Sequence, residues 1–143
     1  MHQYEVNLTW TSLRKGLLES PVLEQTIEVA TPPEFPNGIA GIWSPEHLFV
    51  SAISSCLMTT FLAIAENSKF AFKSFSCNAI GKLDKVEGKF MMTEVVLRPT
   101  LVIPAADQSD RAKRILEKSE QACLISNSVK SAIIFEPTII VEA

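Results

Sequence analysis

Ser44 to Cys56 reads SPEHLFVSAISSC, with a carboxylate near one end, a thiol at the other, and apolar or small residues over most of the run between. Its first three residues form a helix start. Ser44 stands at the N-cap, Pro45 at the first helical position and Glu46 in the first turn, where the helix dipole favours negative charge. The pattern predicts a helix to about Asn67. From Leu48 to Ala65 there are 18 residues without a charge, and a membrane span needs about 20 mostly apolar residues. Ser51, Ser54, Ser55, Thr59 and Thr60 interrupt this run, however, and neither an aromatic belt nor a basic cluster flanks it. The expectation is a central helix buried nearly all round, by its own sheet and by a partner copy.

Working outward, Tyr4, Val6, Leu8 and Trp10 alternate with polar residues, and LEQTIEVA (Leu23 to Ala30) repeats the period, which predicts two antiparallel strands. Between them TSLRKGLLESP reads as turn material around Gly16 and Pro21, with Arg14 on or beside the turn. TPPEFPNG, Thr31 to Gly38, reads as a stiff extended loop. After the central helix, KSFSCNAIGKLDKVEGKFMMTEVVLRPTLVI predicts two strands that turn near Asp84 to Gly88, the second broken near Pro99. Phe75, Cys77 and Ala79 alternate there, so Cys77 is expected to face inward. A second helix enters after Pro104 through Asp107 or Ser109 and reaches about Cys123, and AIIFEPTIIVEA supplies a terminal strand. The order β-β-α-β-β-α-β predicts an α+β fold with mainly antiparallel sheets.

At 143 residues the chain suits a single domain over 1–143. Its residues are 47% hydrophobic and 20% charged, an apolar surplus expected to lie partly in an oligomer interface. A net charge of −3 offers no basic field, which argues against nucleic acid and anionic membrane surfaces as partners. MHQYEVNLTW has neither a basic nor an apolar leader region, and the expected compartment is the cytoplasm. Three cysteines, Cys56, Cys77 and Cys123, are an odd number without C-x-x-C spacing. That argues against a secreted disulfide framework and against a four-ligand zinc site, which His2 and His47 alone cannot repair. Cytosolic thiol chemistry stays open.

A cysteine on an apolar helix is more often a small buried hydrophobe than a nucleophile, and inert packing is the first reading of Cys56 and of Cys77. Cys123 differs, lying near a helix end where a sulfur can move to meet another. A reactive Cys56 needs its pKa of about 8.5 lowered by a cation, a helix N-terminus or a hydrogen bond. It stands too far into its helix for the dipole to act, and Arg14 is the candidate cation. Glu46 lies about 15 Å from Cys56 along the axis, too far for direct contact, and an arginine between them could touch both. The plainer readings are that Glu46 complements the helix start and that Arg14 is a solvated turn charge.

SPEHLFVSAISSC resembles the N-P-E-x-L-(x)7-C helix of the OsmC/Ohr family, the osmotically inducible protein C and organic hydroperoxide resistance proteins. CLISNS, from Cys123, resembles that family's second-cysteine motif, with Leu124 in place of proline, as Ser44 replaces asparagine in the first. The resemblance implies an OsmC-like fold, an intertwined homodimer with paired central helices, and active sites at the subunit interface. It further implies a thiol peroxidase that reduces hydroperoxides, organic ones first and inorganic ones as a further substrate class. Cys56 would be the peroxidatic cysteine, Cys123 the resolving one, Glu46 the orienting carboxylate and Arg14 the activating arginine. A Cys56–Cys123 disulfide would be returned by a lipoyl-type dithiol, with no cofactor or metal. A different class of function stands beside it: a dimer on the same fold that binds an apolar ligand or partner and keeps its cysteines buried and inert.

Overall fold

The computed structural model describes residues 1–143 and divides into two compact units, Met1–Phe49 and Val50–Ala143. The first unit is an antiparallel meander of β1 (Asn7–Ser12), β2 (Lys15–Ser20) and β3 (Leu23–Ala30). Here the structure corrects the expected element order, because TSLRKGLLESP holds a strand and not only a turn. Gly16 pairs with Trp10 on one side and with Val29 on the other. A Cβ at Gly16 would come 3.0 Å from Leu8 Cδ1 and 3.1 Å from the Thr9 carbonyl oxygen, so this glycine permits close strand approach rather than a turn. The turn is tighter, at Leu13 and Arg14, with Leu13 at φ 50° and its carbonyl accepting the Trp10 indole N–H at 2.9 Å. Tyr4 and Val6 precede the strand and are exposed.

The proline-rich stretch is not extended. It folds into consecutive turns, Phe35 N–H to the Pro32 carbonyl at 3.1 Å and Gly38 N–H to the Phe35 carbonyl at 2.9 Å. A Cβ on Gly38 would lie 1.9 Å from the Pro32 carbonyl oxygen, a contact only glycine avoids. The chain then bridges Trp43 to Val29 and starts α1 (Pro45–Asn67). Ser44 is fully buried and its Oγ accepts the His47 N–H at 3.1 Å, a standard N-cap bond.

In the second unit β4 (Ser74–Val86) and β5 (Lys89–Ile103) form a long antiparallel hairpin through Glu87 and Gly88. Both turn residues have positive φ, 52° and 80°, as the twist of a two-residue hairpin requires. After α2 (Ser109–Ala122) come two short strands where one was expected, β6 (Ala132–Phe135) and β7 (Thr138–Val141), both parallel to β5. The observed order is β-β-β-α-β-β-α-β-β, with one antiparallel sheet and one mixed sheet.

β5 passes unbroken through Pro99, contrary to expectation, and the pairing explains why. β6 ends opposite Leu97 and β7 begins opposite Thr100, so Pro99 falls in the gap between two neighbours where a missing N–H costs no ladder bond.

The core of this unit gathers Phe61 and Ala65 of α1, Leu101 and Ile103 of β5, and Ala112 and Leu116 of α2. The Phe61 ring stacks on Phe75 at 4.9 Å and meets Phe72 edge-on at 5.0 Å. α1 is long and apolar enough to cross a membrane by length and composition, yet Ile53, Cys56, Leu57, Phe61 and Ala65 pack inward. Its opposite face, including Met58 and Leu62, is open in the single chain.

Candidate active site

Three turns into α1, Cys56 is 9% exposed, and Cys123, just past the end of α2, is fully buried. The two are unbonded. The two side chains are near enough to act on each other's ionisation, the Cys123 thiol favouring the Cys56 thiolate. The structure therefore brings together the two cysteines singled out in the sequence, and leaves Cys77 apart. Cys77 lies half-buried on β4, opposite Pro99, on the same face as Phe75 and Ala79. Burial pushes its pKa up, with the Arg98 N–H opposing.

Cys123 begins a tightly bonded turn. Its carbonyl accepts the Asn127 N–H at 3.0 Å, and the Ile125 carbonyl accepts the Ser128 N–H at 2.9 Å. The Asn127 side-chain amide donates to the Gln121 carbonyl at 3.1 Å, and the Ser128 hydroxyl to the Leu124 carbonyl at 2.7 Å. A single 3₁₀ turn, Ser126–Ser128, closes the segment. Cys123 is thus held by backbone geometry rather than left loose at a fraying helix end.

The surroundings push the two thiols in opposite directions. Burial raises the Cys56 pKa, but donors from the Ile125 N–H, the Cys123 thiol, the Thr60 hydroxyl and the Leu124 N–H together outweigh it. Cys56 is therefore held below the ordinary thiol range. Thr60 is one helical turn on, with Oγ1 3.9 Å from the Cys56 sulfur. Cys123 is raised chiefly by burial, with the Cys56 sulfur adding to the rise and the Ser126 hydroxyl and N–H opposing it. The buried Ser126 hydroxyl has no oxygen or nitrogen partner, and its interaction with the Cys123 sulfur lies outside ordinary hydrogen-bond geometry.

Glu46 and Arg14 belong to the first unit. Arg14 sits at the β1–β2 turn, where its carbonyl accepts the Thr31 N–H at 3.2 Å. It lines a pocket of about 310 Å³ with Leu8, Trp10, Leu13, Val29 and Pro45. No ion pair joins Arg14 to Glu46. One carboxylate oxygen of Glu46, Oε1, is buried without a hydrogen-bond partner, which is costly for a charged group and calls for a donor. The donors to Cys56 that sequence reasoning missed are Thr60, signalled by its i+4 spacing, and two peptide N–H groups, which no residue type signals.

Residues 38–138 match the family model for OsmC-like protein. The chain belongs to the OsmC-like family. Peroxiredoxin OsmC of Escherichia coli K12 is 27% identical to it over 90 residues, a match spanning 63% of this chain and 62% of that relative's length. Among solved structures, an OsmC-like protein of unknown function from Vibrio cholerae aligns with a TM-score of 0.86 at 27% identity, over 96% of this chain and 99% of that one. An organic hydroperoxide resistance protein from Elizabethkingia anophelis aligns with a TM-score of 0.76 at 24% identity, over 99% of each chain. The α+β architecture is thus the OsmC-like fold, which bears out the resemblance carried by the Cys56 and Cys123 motifs.

Proposed function

We propose that the protein is a thiol-dependent peroxidase that reduces organic hydroperoxides, with Cys56 as the peroxidatic cysteine and Cys123 as the resolving one. One observation carries the reading: two free, buried thiols act on each other's ionisation, and their surroundings favour the thiolate at Cys56 and the thiol at Cys123. Only a thiolate is an effective nucleophile. Family membership and the hydroperoxide chemistry named for relatives support the same conclusion.

In the first step the Cys56 sulfur attacks the outer peroxide oxygen, the O–O bond breaks, and the departing alkoxide takes a proton to leave as alcohol. The sulfur is oxidised to a sulfenic acid. The Cys123 sulfur then attacks the Cys56 sulfur, its proton leaves with the hydroxyl as water, and a disulfide forms. A small dithiol of lipoyl type restores both thiols by exchange. Such recycling suits the reducing cytoplasm.

Glu46 and Arg14 take the roles of orienting carboxylate and activating cation in this proposal. The buried, unpartnered Glu46 Oε1 and the position of Arg14 in the pocket beside Pro45 support the pairing. We further assign a homodimer forming one functional domain over 1–143. Trp10, Leu8 and Leu23 are 73%, 65% and 66% exposed, an apolar excess that a second copy would cover.

The decisive assay follows consumption of cumene hydroperoxide with dihydrolipoamide as reductant. Multiple turnovers by the native protein and none by Cys56→Ser are expected. Equal consumption by the two proteins would remove Cys56 from the chemistry. The apolar pocket around Arg14 favours the second reading, a ligand-binding dimer with inert cysteines. Absence of turnover together with saturable binding of an apolar ligand would support it.

A further inference from the structure

We propose that Thr60 is a positioning residue for the chemistry of Cys56: its hydroxyl aims the sulfur and supplies a hydrogen bond that the anionic sulfur accepts. The inference rests on Cys56 being the nucleophile and adds a residue that helps make it one.

The hydroxyls of α1 single Thr60 out. A serine or threonine inside a helix commonly turns its hydroxyl back on a carbonyl of the preceding turn. Ser54 donates to the Ser51 carbonyl at 3.2 Å, Ser55 to the Ala52 carbonyl at 3.3 Å and Thr59 to the Cys56 carbonyl at 3.1 Å. Thr60 does otherwise. Its Oγ1 lies 3.9 Å from the Cys56 sulfur, and that sulfur is its one hydrogen-bond partner. The spacing from Cys56 to Thr60 is i to i+4, which sets the two side chains one above the other on one face of the helix. The branched threonine side chain has few χ1 wells open to it in a helix, and the hydroxyl keeps its aim.

The protonation state of the sulfur decides what this contact does. A neutral thiol and a hydroxyl can each donate, and between them the contact is long. A sulfur that has lost its proton can only accept, and the hydroxyl, with one O–H to give, becomes the donor. Charge shortens and strengthens that bond. Cys56 is 9% exposed, so little water reaches the sulfur to replace a donor that is removed. During attack on a peroxide the S–O bond forms and the O–O bond breaks while the Thr60 O–H stays intact. Thr60 therefore gives and takes no proton in the cycle.

The test is the pH dependence of iodoacetamide alkylation at Cys56, read by peptide mass spectrometry in reduced full-length protein, with circular dichroism to establish folding. The thiolate is the reacting form. Thr60→Val removes the hydroxyl at nearly constant volume, and Thr60→Ala removes it on a residue that favours helix. Each should slow alkylation near neutral pH by about tenfold, one pKa unit. Thr60→Ser, which keeps the hydroxyl, should show the native profile, and so should Thr59→Val, whose lost hydroxyl lay on a carbonyl. A folded Thr60→Val or Thr60→Ala protein with the native profile would overturn the inference. A Thr60→Ser or Thr59→Val profile shifted as far as that of Thr60→Val would overturn it too. The titration uses no peroxide, so the role of Thr60 can hold while the peroxidase reading fails.

Discussion

Cys123 lies close enough to Cys56, 67 residues away in sequence, for its thiol to favour the Cys56 thiolate while Cys56 in turn disfavours ionisation of Cys123. In the proposed cycle this pairs the thiol that loses its proton with the thiol that keeps its own until the second step. A sulfenic acid formed at Cys56 in that cycle would arise beside the group that removes it.

Replacing Cys123 should convert a cycling thiol into a suicide one. With Cys123→Ser, excess cumene hydroperoxide is expected to carry Cys56 past the sulfenic acid to the irreversible sulfinic acid. Intact-protein mass spectrometry reads this as a gain of two oxygens, against a loss of two hydrogens in the native protein. Native-like disulfide formation by the variant would assign resolution to another cysteine.

The pH dependence follows from the opposite shifts. Cys56 is lowered on folding, so between its folded pKa and about 8.5 the unfolded chain binds more protons, and stability from this group rises with pH. That contribution is full above about 8.5 and is lost as pH falls through the folded value. Cys123 and Cys77 are raised, and their contributions, full below about 8.5, are lost as pH rises through their folded values. Urea unfolding under reducing conditions should show the stability difference between native protein and Cys56→Ser growing with pH below about 8.5. A difference that shrinks over that range would reverse the assignment.

Arg14→Ala should lower kcat/KM for cumene hydroperoxide by about tenfold or more, the scale of one charge-assisted hydrogen bond. Glu46→Gln should have a smaller effect in the same direction, because it acts on the position of the cation. Stopped-flow oxidation of Cys56 measures both. Unchanged rates would leave amide and hydroxyl donors as the activating groups.

Stability should depend most on Phe61, which is fully buried between Phe72 and Phe75. Phe61→Ala is expected to cost about 3–5 kcal/mol. Ser44→Ala, removing a buried N-cap, should cost about 0.5–2 kcal/mol. Chemical denaturation reads both, and a Phe61→Ala loss smaller than that of Ser44→Ala would contradict the packing described.

Features encoded locally were legible. Ser44-Pro45-Glu46 announces the start of α1 because capping is settled within one turn, and the alternation of Phe75, Cys77 and Ala79 gave the facing of β4. Features that depend on distant partners were not. Gly16 resembles a turn residue until β1 and β3 close on either side of it, and Leu17-Leu18 hides the strand period. Pro99 resembles a break until β6 is found to end, and β7 to begin, beside it. At the site, the cysteine pair came from resemblance to known motifs rather than from periodicity. The Leu124 and Ile125 donors belong to the backbone, which residue types do not distinguish.

The most direct test of the central claim is a single-turnover reaction of reduced protein with one equivalent of cumene hydroperoxide, followed by non-reducing peptide mapping. The account predicts one peroxide consumed per chain and one disulfide, Cys56 to Cys123, with Cys77 still free. Cys56 and Cys123 recovered as unmodified thiols in folded protein would contradict it.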